Sequence, residues 1–249
     1  MTEETKSLNK SIKPKAIKEC EVYNLINEIR SHPSEYTVLN QMFAEKVMLL
    51  SKCHSVKTNE NLYGLSEYIT HNFSLFSDFI HALRSQIIGK QFFEYEFGNC
   101  DEAKNQMILS LLNDFKTLGM IGDYTYNGDS KKVSGKFLKN RNFLSYISGG
   151  FFEDFAYCEA KKVLEDLSRA YGVDYELYRN VYVHTPVGNK FIETREIDLL
   201  IRFDNRIYIV EVKSGNRRQI RNFHTIGLRL GVEAFCSMLL IPKLKDVSL

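Results

Sequence analysis

The chain has 249 residues, 44% of them apolar, and a formal net charge of +2. That is enough for one large domain or two small ones with buried cores. A charge so near neutral gives no general argument for nucleic acid, and no apolar run approaches the roughly 18 residues that a membrane span requires.

The five cysteines, Cys20, Cys53, Cys100, Cys158 and Cys236, are odd in number and scattered. That pattern favours free thiols in a reducing compartment over disulfides or a zinc site. Cys53-His54 has no second pair at ligand spacing. With no signal-peptide apolar region, the expectation is a soluble cytoplasmic protein without a membrane partner. No internal repeat is evident.

Residues 1–18 are polar, with five Lys against Glu3 and Glu4, and read as a mobile basic tail. From Glu21 to about Ser51 the pattern is helical, with a turn near His32-Pro33. Asn59 to Tyr63 reads as a loop. Leu75 to Leu83 is apolar at helical spacing. A helix follows Asp101, a good N-cap. In it Ile108, Leu111, Leu112, Phe115 and Leu118 form one buried face, and Gly119 ends it. "MIGDYTY" and "KKVSGKF" are short strands joined through Asn127-Gly128-Asp129-Ser130, a hairpin signal. Helix, helix and hairpin resemble a winged helix over about residues 70–138. Such a domain either contacts DNA with its second helix or serves a structural or dimerising role.

A sharp turn is expected near Ser148-Gly149-Gly150, then a helix from about Phe151 to Ala170. Next come a strand near Tyr178–Val183, a turn at Pro186–Asn189 and two strands in "REIDLLIRFDNRIYIVEVKSG". A helix over about 216–230 and a strand over 234–241 complete the order helix, three strands, helix, strand. That is a mixed α/β domain. Charge concentrates here: residues 195–229 hold eight Arg/Lys against four Asp/Glu, a local +4.

Asp204-Asn205 suits a two-residue hairpin loop, because both residues tolerate positive φ. Phe203 then pairs with Arg206, Asp198 stands opposite Glu211, and Glu196 opposite Lys213. One face carries Glu196, Asp198, Leu200, Arg202, Ile207, Ile209, Glu211 and Lys213. The other carries Ile197, Leu199, Ile201, Phe203, Tyr208, Val210 and Val212, a continuous core. Opposed carboxylates lie ~4.5–5.5 Å apart at Cβ and repel. A divalent cation between them resolves the repulsion, and oxygen donors suit Mg²⁺ or Mn²⁺. The bland alternative is a solvated ladder with Glu196 paired to Lys213 and the acids in water. A bulge would break the register.

Asp198, followed on the next strand by Glu211-Val212-Lys213, resembles the PD-(D/E)xK nuclease superfamily, whose core has the same element order. The resemblance implies a restriction-endonuclease-like sheet flanked by helices, with Asp198, Glu211 and a helix glutamate as metal ligands. It implies the carbonyl of Val212 as a further ligand and Lys213 as the group that assists the water and the developing charge. Glu153 is the candidate helix acid. It heads a stripe with Ala156, Ala160, Val163 or Leu164, and Leu167; Glu159 is the rival. "GGFFEDFAY" is also similar to the start of the nuclease domain in cyclic-oligoadenylate-activated CRISPR ancillary nucleases. That resemblance covers residues 149–241. No repeated strand–helix pattern of their sensor domain is seen in the N-terminal half, so cyclic-nucleotide control is not inferred. Arg217, Arg218, Gln219 and Arg221 could position a strand over the metal, or form an ordinary exposed basic face.

The expected divisions are 1–18, 19–140 (helical, winged-helix-like) and 141–249 (nuclease-like). The expected activity is metal-dependent hydrolysis of phosphodiesters by a metal-activated water, on DNA before RNA, with a homodimer as a candidate assembly. The alternatives are a nucleic-acid-binding protein with a silent nuclease fold and an interaction module whose acids are surface decoration.

Overall fold

The computed structural model describes residues 19–51, 60–98, 102–138, 141–187, 190–193, 196–204 and 206–212. In chain order its elements begin with α1 (Glu19–Ser31), a 3₁₀ turn (Pro33–Glu35), α2 (Val38–Glu45) and β1 (Leu49–Ser51). Then come α3 (Glu60–His71), α4 (Phe73–Ile87), β2 (Phe92–Glu96), α5 (Glu102–Thr117), β3 (Ile121–Asn127) and β4 (Lys132–Phe137). α6 (Arg141–Ser145) runs through a π turn (Tyr146–Gly150) into α7 (Phe151–Tyr171). The last are β5 (Tyr175–Val187), β6 (Lys190–Glu193), β7 (Ile197–Phe203) and β8 (Arg206–Val210). The helix expected over 216–230 and the strand over 234–241 lie outside the described residues. No helix among the described residues is long and apolar enough to cross a membrane.

Contacts divide these residues into two compact units, 19–51 with 157–212, and 60–156. The first is built on a sheet of order β1-β5-β7-β8, with β6 also on β5. Every described pair in it is antiparallel. Leu39 and Phe43 of α2, Met48, Leu50, Val181, Val183, Ile197, Leu200, Ile207 and Ile209 make one core. Val22, Ile26 and Ile29 of α1 pack with Ala44 and Leu49 into another. α2 is tied to the sheet by a partly buried charge pair. Arg202 Nε donates to Glu176 Oε1 at 2.7 Å, and the same oxygen accepts from the Leu39 amide at 3.2 Å. A carboxylate there also complements the positive end of the helix. Residues 19–51 are expected in the N-terminal winged-helix-like domain, helical from Glu21 to about Ser51 with a turn near His32-Pro33, and that turn forms at Pro33–Glu35. Here residues 19–51 join the sheet, because β1 pairs with residues 182–184 of β5. A three-residue strand is too short for alternation to reveal it.

The second unit runs α3, α4, β2, α5, β3, β4, with an antiparallel sheet of order β2-β4-β3. On α5 the expected face holds at Ile108, Leu111, Leu112 and Phe115, all fully buried, whereas Leu118 lies past the helix end and is half-buried. The hairpin β3–β4 also forms as read. Two corrections apply. Residues expected as a loop begin α3 at Glu60. β2 was not foreseen; it inserts before α5 and pairs with β4 along its whole length.

Gly135 of β4 lets two side chains close over the strand. A Cβ there would lie 2.6 Å from Phe93 Cζ and 2.8 Å from Tyr124 Cβ. Gly135→Ala is therefore expected to destabilise by about 1–3 kcal/mol, the usual cost of overpacking. Gly64 of α3 has nothing within 4 Å, so Gly64→Ala should stabilise, by up to about 1 kcal/mol. Denaturant unfolding of both variants checks the pair; equal effects would show that the close approach at Gly135 is not real.

Candidate active site

The β7–β8 ladder carries the site. Its pairs run from Phe203–Arg206 out to Leu199–Val210, the register expected from a two-residue turn. Asp204 takes φ 54°, as that turn requires. The next residues outward are Asp198 and Glu211. Both are buried, at 5% and 8% exposure, so they are not surface decoration in water. The Val212 amide, itself buried, donates to Asp198 Oδ2 at 2.6 Å. Glu196, by contrast, is exposed and accepts from the Tyr182 hydroxyl at 2.8 Å. The solvated ladder therefore does not describe Asp198 and Glu211.

The strict alternation expected along β7 is broken. Ile197, assigned to the opposite face, enters the same core as Leu200, Ile207 and Ile209. The β5–β7 ladder shows where. Arg179 pairs with Leu199 and Val181 with Ile197, but the position between them, Asn180 against Asp198, is not paired. Asn180 has φ 54° there, a left-handed conformation inside a strand. Irregularities of this kind gather beside active sites. A sequence signal existed: an Asn inside "YELYRNVYV", where strands disfavour Asn and Asn is the ordinary residue to adopt left-handed φ.

Glu153 and Asp154 sit on the first turn of α7, after Gly149, whose φ of 141° is open only to glycine at low cost. The buried carboxylate of the two is Asp154, at 8% exposure; Glu153 is half-buried. The expected stripe is also displaced. Ala156 and Leu164 are buried, but Val163 and Leu167 are 56% and 36% exposed. A single stripe assumes one partner along the whole helix, whereas the boundary between the two units falls within α7, after Ala156. Asp154 acts on Tyr146: burial pushes that phenol above its ordinary range, the Asp154 charge adds to this, and the hydrogen bond with Ser66 opposes it. Glu159 forms an exposed ion pair with Lys162 at 2.8 Å.

Lys213, Arg217, Arg218, Gln219 and Arg221 lie outside the described residues. Among the described residues no three His, Cys, Asp or Glu side chains gather to hold a metal. The donor set still fits a divalent ion. Asp198 and Glu211 are both buried next to the last β7–β8 pair, and hard oxygen donors of this kind select Mg²⁺ or Mn²⁺.

Two solved structures are similar to this chain. Protein VC1899 from Vibrio cholerae superposes with a TM-score of 0.57 at 15% identity, over 82% of this chain and 52% of that one. Can2 from Sulfobacillus thermosulfidooxidans, in complex with cyclic tetra-adenylate, gives 0.47 at 16% identity, over 82% and 51%. The chain thus spans about half the length of each. No curated protein sequence matches it. Residues 154–227, less than half of the chain, match the NERD family model. The segment carrying Asp198, Glu211 and Lys213 is accordingly similar to a nuclease-related domain.

Proposed function

We propose that the protein is a metal-dependent nuclease of the PD-(D/E)xK type. The observation that carries this is the burial of both Asp198, on β7, and Glu211, next after the end of β8, inside the segment that matches a nuclease-related domain. Asp198 and Glu211, the Val212 carbonyl and a helix acid would hold Mg²⁺ or Mn²⁺. When bound, such an ion acts as a Lewis acid on the phosphodiester and lowers the pKa of a coordinated water. The protein's own part is to fix the two carboxylates. Asp198 is held by the Val212 amide, so the two strands cannot part without losing that bond. Lys213 would place a cation where negative charge develops.

The nucleic-acid surface is assigned to Arg217, Arg218, Gln219 and Arg221. Residues 195–229 carry a net +4, whereas residues 58–156 hold nine Lys/Arg against twelve Asp/Glu, a net −3. Phosphate contacts dominate affinity, so the second unit is poorly suited to be the main binding surface. The winged-helix reading rests on α5 followed by the β3–β4 hairpin, but the unit's charge favours a structural or regulatory role. DNA remains the preferred substrate over RNA, by analogy with the superfamily.

The helix acid is assigned to Glu153 over Glu159, from the place of Glu153 on the first turn of α7. Glu153→Gln should lower metal-dependent cleavage at least tenfold while Glu159→Gln leaves it unchanged. The reverse outcome would exchange the two assignments.

The general test is cleavage of plasmid, single-stranded DNA and RNA by the purified chain with Mg²⁺, Mn²⁺ or chelator. Cleavage with metal that chelator stops supports the reading. Nucleic-acid binding without cleavage in either metal would leave a silent nuclease fold.

A further inference from the structure

We propose that Asn180 is a further donor to the metal cluster, a neutral side-chain oxygen supplied from β5; the inference rests on the nuclease reading above. Three observations converge on it. Asn180 occupies the register position across from Asp198, between the pairs Arg179–Leu199 and Val181–Ile197, and the β7–β8 register carried one position past Leu199–Val210 would set Glu211 on the other side of Asp198. The ladder is intact on both sides of Asn180 and interrupted only there, where its backbone is left-handed. Its Oδ1 is buried and accepts no hydrogen bond. A buried amide oxygen left so costs free energy unless something occupies it. A strand interior also gains nothing from left-handed φ, and such strain persists where function requires it.

Asn180 also addresses the donor count. The described His, Cys, Asp and Glu side chains do not make a cluster of three. An amide oxygen adds a donor of the same hard type without adding a third negative charge to two buried acids. Mg²⁺ and Mn²⁺ accept such carbonyl oxygens alongside carboxylates and water.

The test is calorimetric Mn²⁺ titration of the full chain and of Asn180→Gly, Asn180→Asp and Asp198→Asn, with the melting temperature of each metal-free protein. Glycine accepts φ 54° without strain, so Asn180→Gly removes the oxygen and keeps the backbone. Its Mn²⁺ affinity should fall about tenfold or more, with little change in metal-free melting. Asn180→Asp should bind Mn²⁺ at least as tightly as the parent, while its metal-free form melts lower because a third acid joins the other two. If Asp198→Asn removes Mn²⁺ binding but Asn180→Gly keeps the parent affinity, Asn180 serves the backbone alone and the proposal is overturned by itself. If the parent binds no Mn²⁺, the nuclease reading and this proposal fall together.

Discussion

Asp198→Asn should abolish both Mn²⁺ binding and cleavage while leaving the fold intact. The separation is possible because of what the side chain does in the metal-free protein. Its Oδ2 accepts the Val212 amide at 2.6 Å, and the amide oxygen of asparagine can accept the same bond. What the substitution removes is one negative charge from a buried pair. Two like charges close together in a poorly solvated place repel, so metal-free Asp198→Asn should melt at the parent temperature or above it. Loss of an outer-shell partner alone costs about 10–100-fold in metal affinity; loss of a direct carboxylate ligand should exceed that, and cleavage should fall to background. The measurements are Mn²⁺ calorimetry, a cleavage time course and thermal unfolding on one preparation. Parent-like Mn²⁺ affinity would mean that Asp198 is a structural carboxylate whose role ends at the Val212 amide.

The hairpin bearing the site was legible because its signals are local. Asp204-Asn205 points to the turn, the turn fixes the register from Phe203–Arg206 to Leu199–Val210, and the next position of that register is Asp198 against Glu211. The α5 face was legible for the same reason, since its spacing alone picks out Ile108, Leu111, Leu112 and Phe115, all buried. Other features depend on chain far away. β1 is a strand because β5 offers it an edge, which nothing near Leu49 announces. Val163 and Leu167 fit a buried stripe by spacing yet are exposed, because spacing says which residues share a face but not how far the partner extends. Asn180 breaks the alternation of its neighbours through one backbone angle; its residue type hinted at the angle but not at its place opposite Asp198.

The role of residues 19–51 also changes how the N-terminal half can be examined. Leu39, Phe43, Met48 and Leu50 belong to the same core as Leu200, Ile207 and Ile209. Removing residues 1–140 would strip that core and the β1 edge, so lost activity would report unfolding. Substitutions confined to the exposed positions of α5 or the β3–β4 turn ask the question without that confusion. If those positions touch DNA, each lost phosphate contact should lower the salt dependence of binding by about one unit of slope.

Lys213→Ala should reduce cleavage by about 10²–10³-fold, roughly 2.7–4 kcal/mol of transition-state stabilisation, with Mn²⁺ binding and melting temperature retained. In sequence Lys213 follows Glu211 by two residues, and with Glu211 it completes the pattern that resembles the superfamily. An ammonium contributes nothing as a ligand to a cation, and near one it is repelled. Its removal should therefore leave Mn²⁺ affinity equal or slightly higher, the opposite of the Asp198→Asn result. What it takes away acts only as negative charge builds on the reacting phosphate or the attacking water, so kcat should fall much more than KM rises. Lys213→Arg would keep the charge but spread it over a planar group with different reach, and partial recovery is expected. If Lys213→Ala cleaved at the parent rate in matched metal, with contaminating nuclease excluded, Lys213 would have no part in the chemistry. The PD-(D/E)xK assignment would then rest on Asp198 and Glu211 alone, a pair that could equally be a metal site without catalysis.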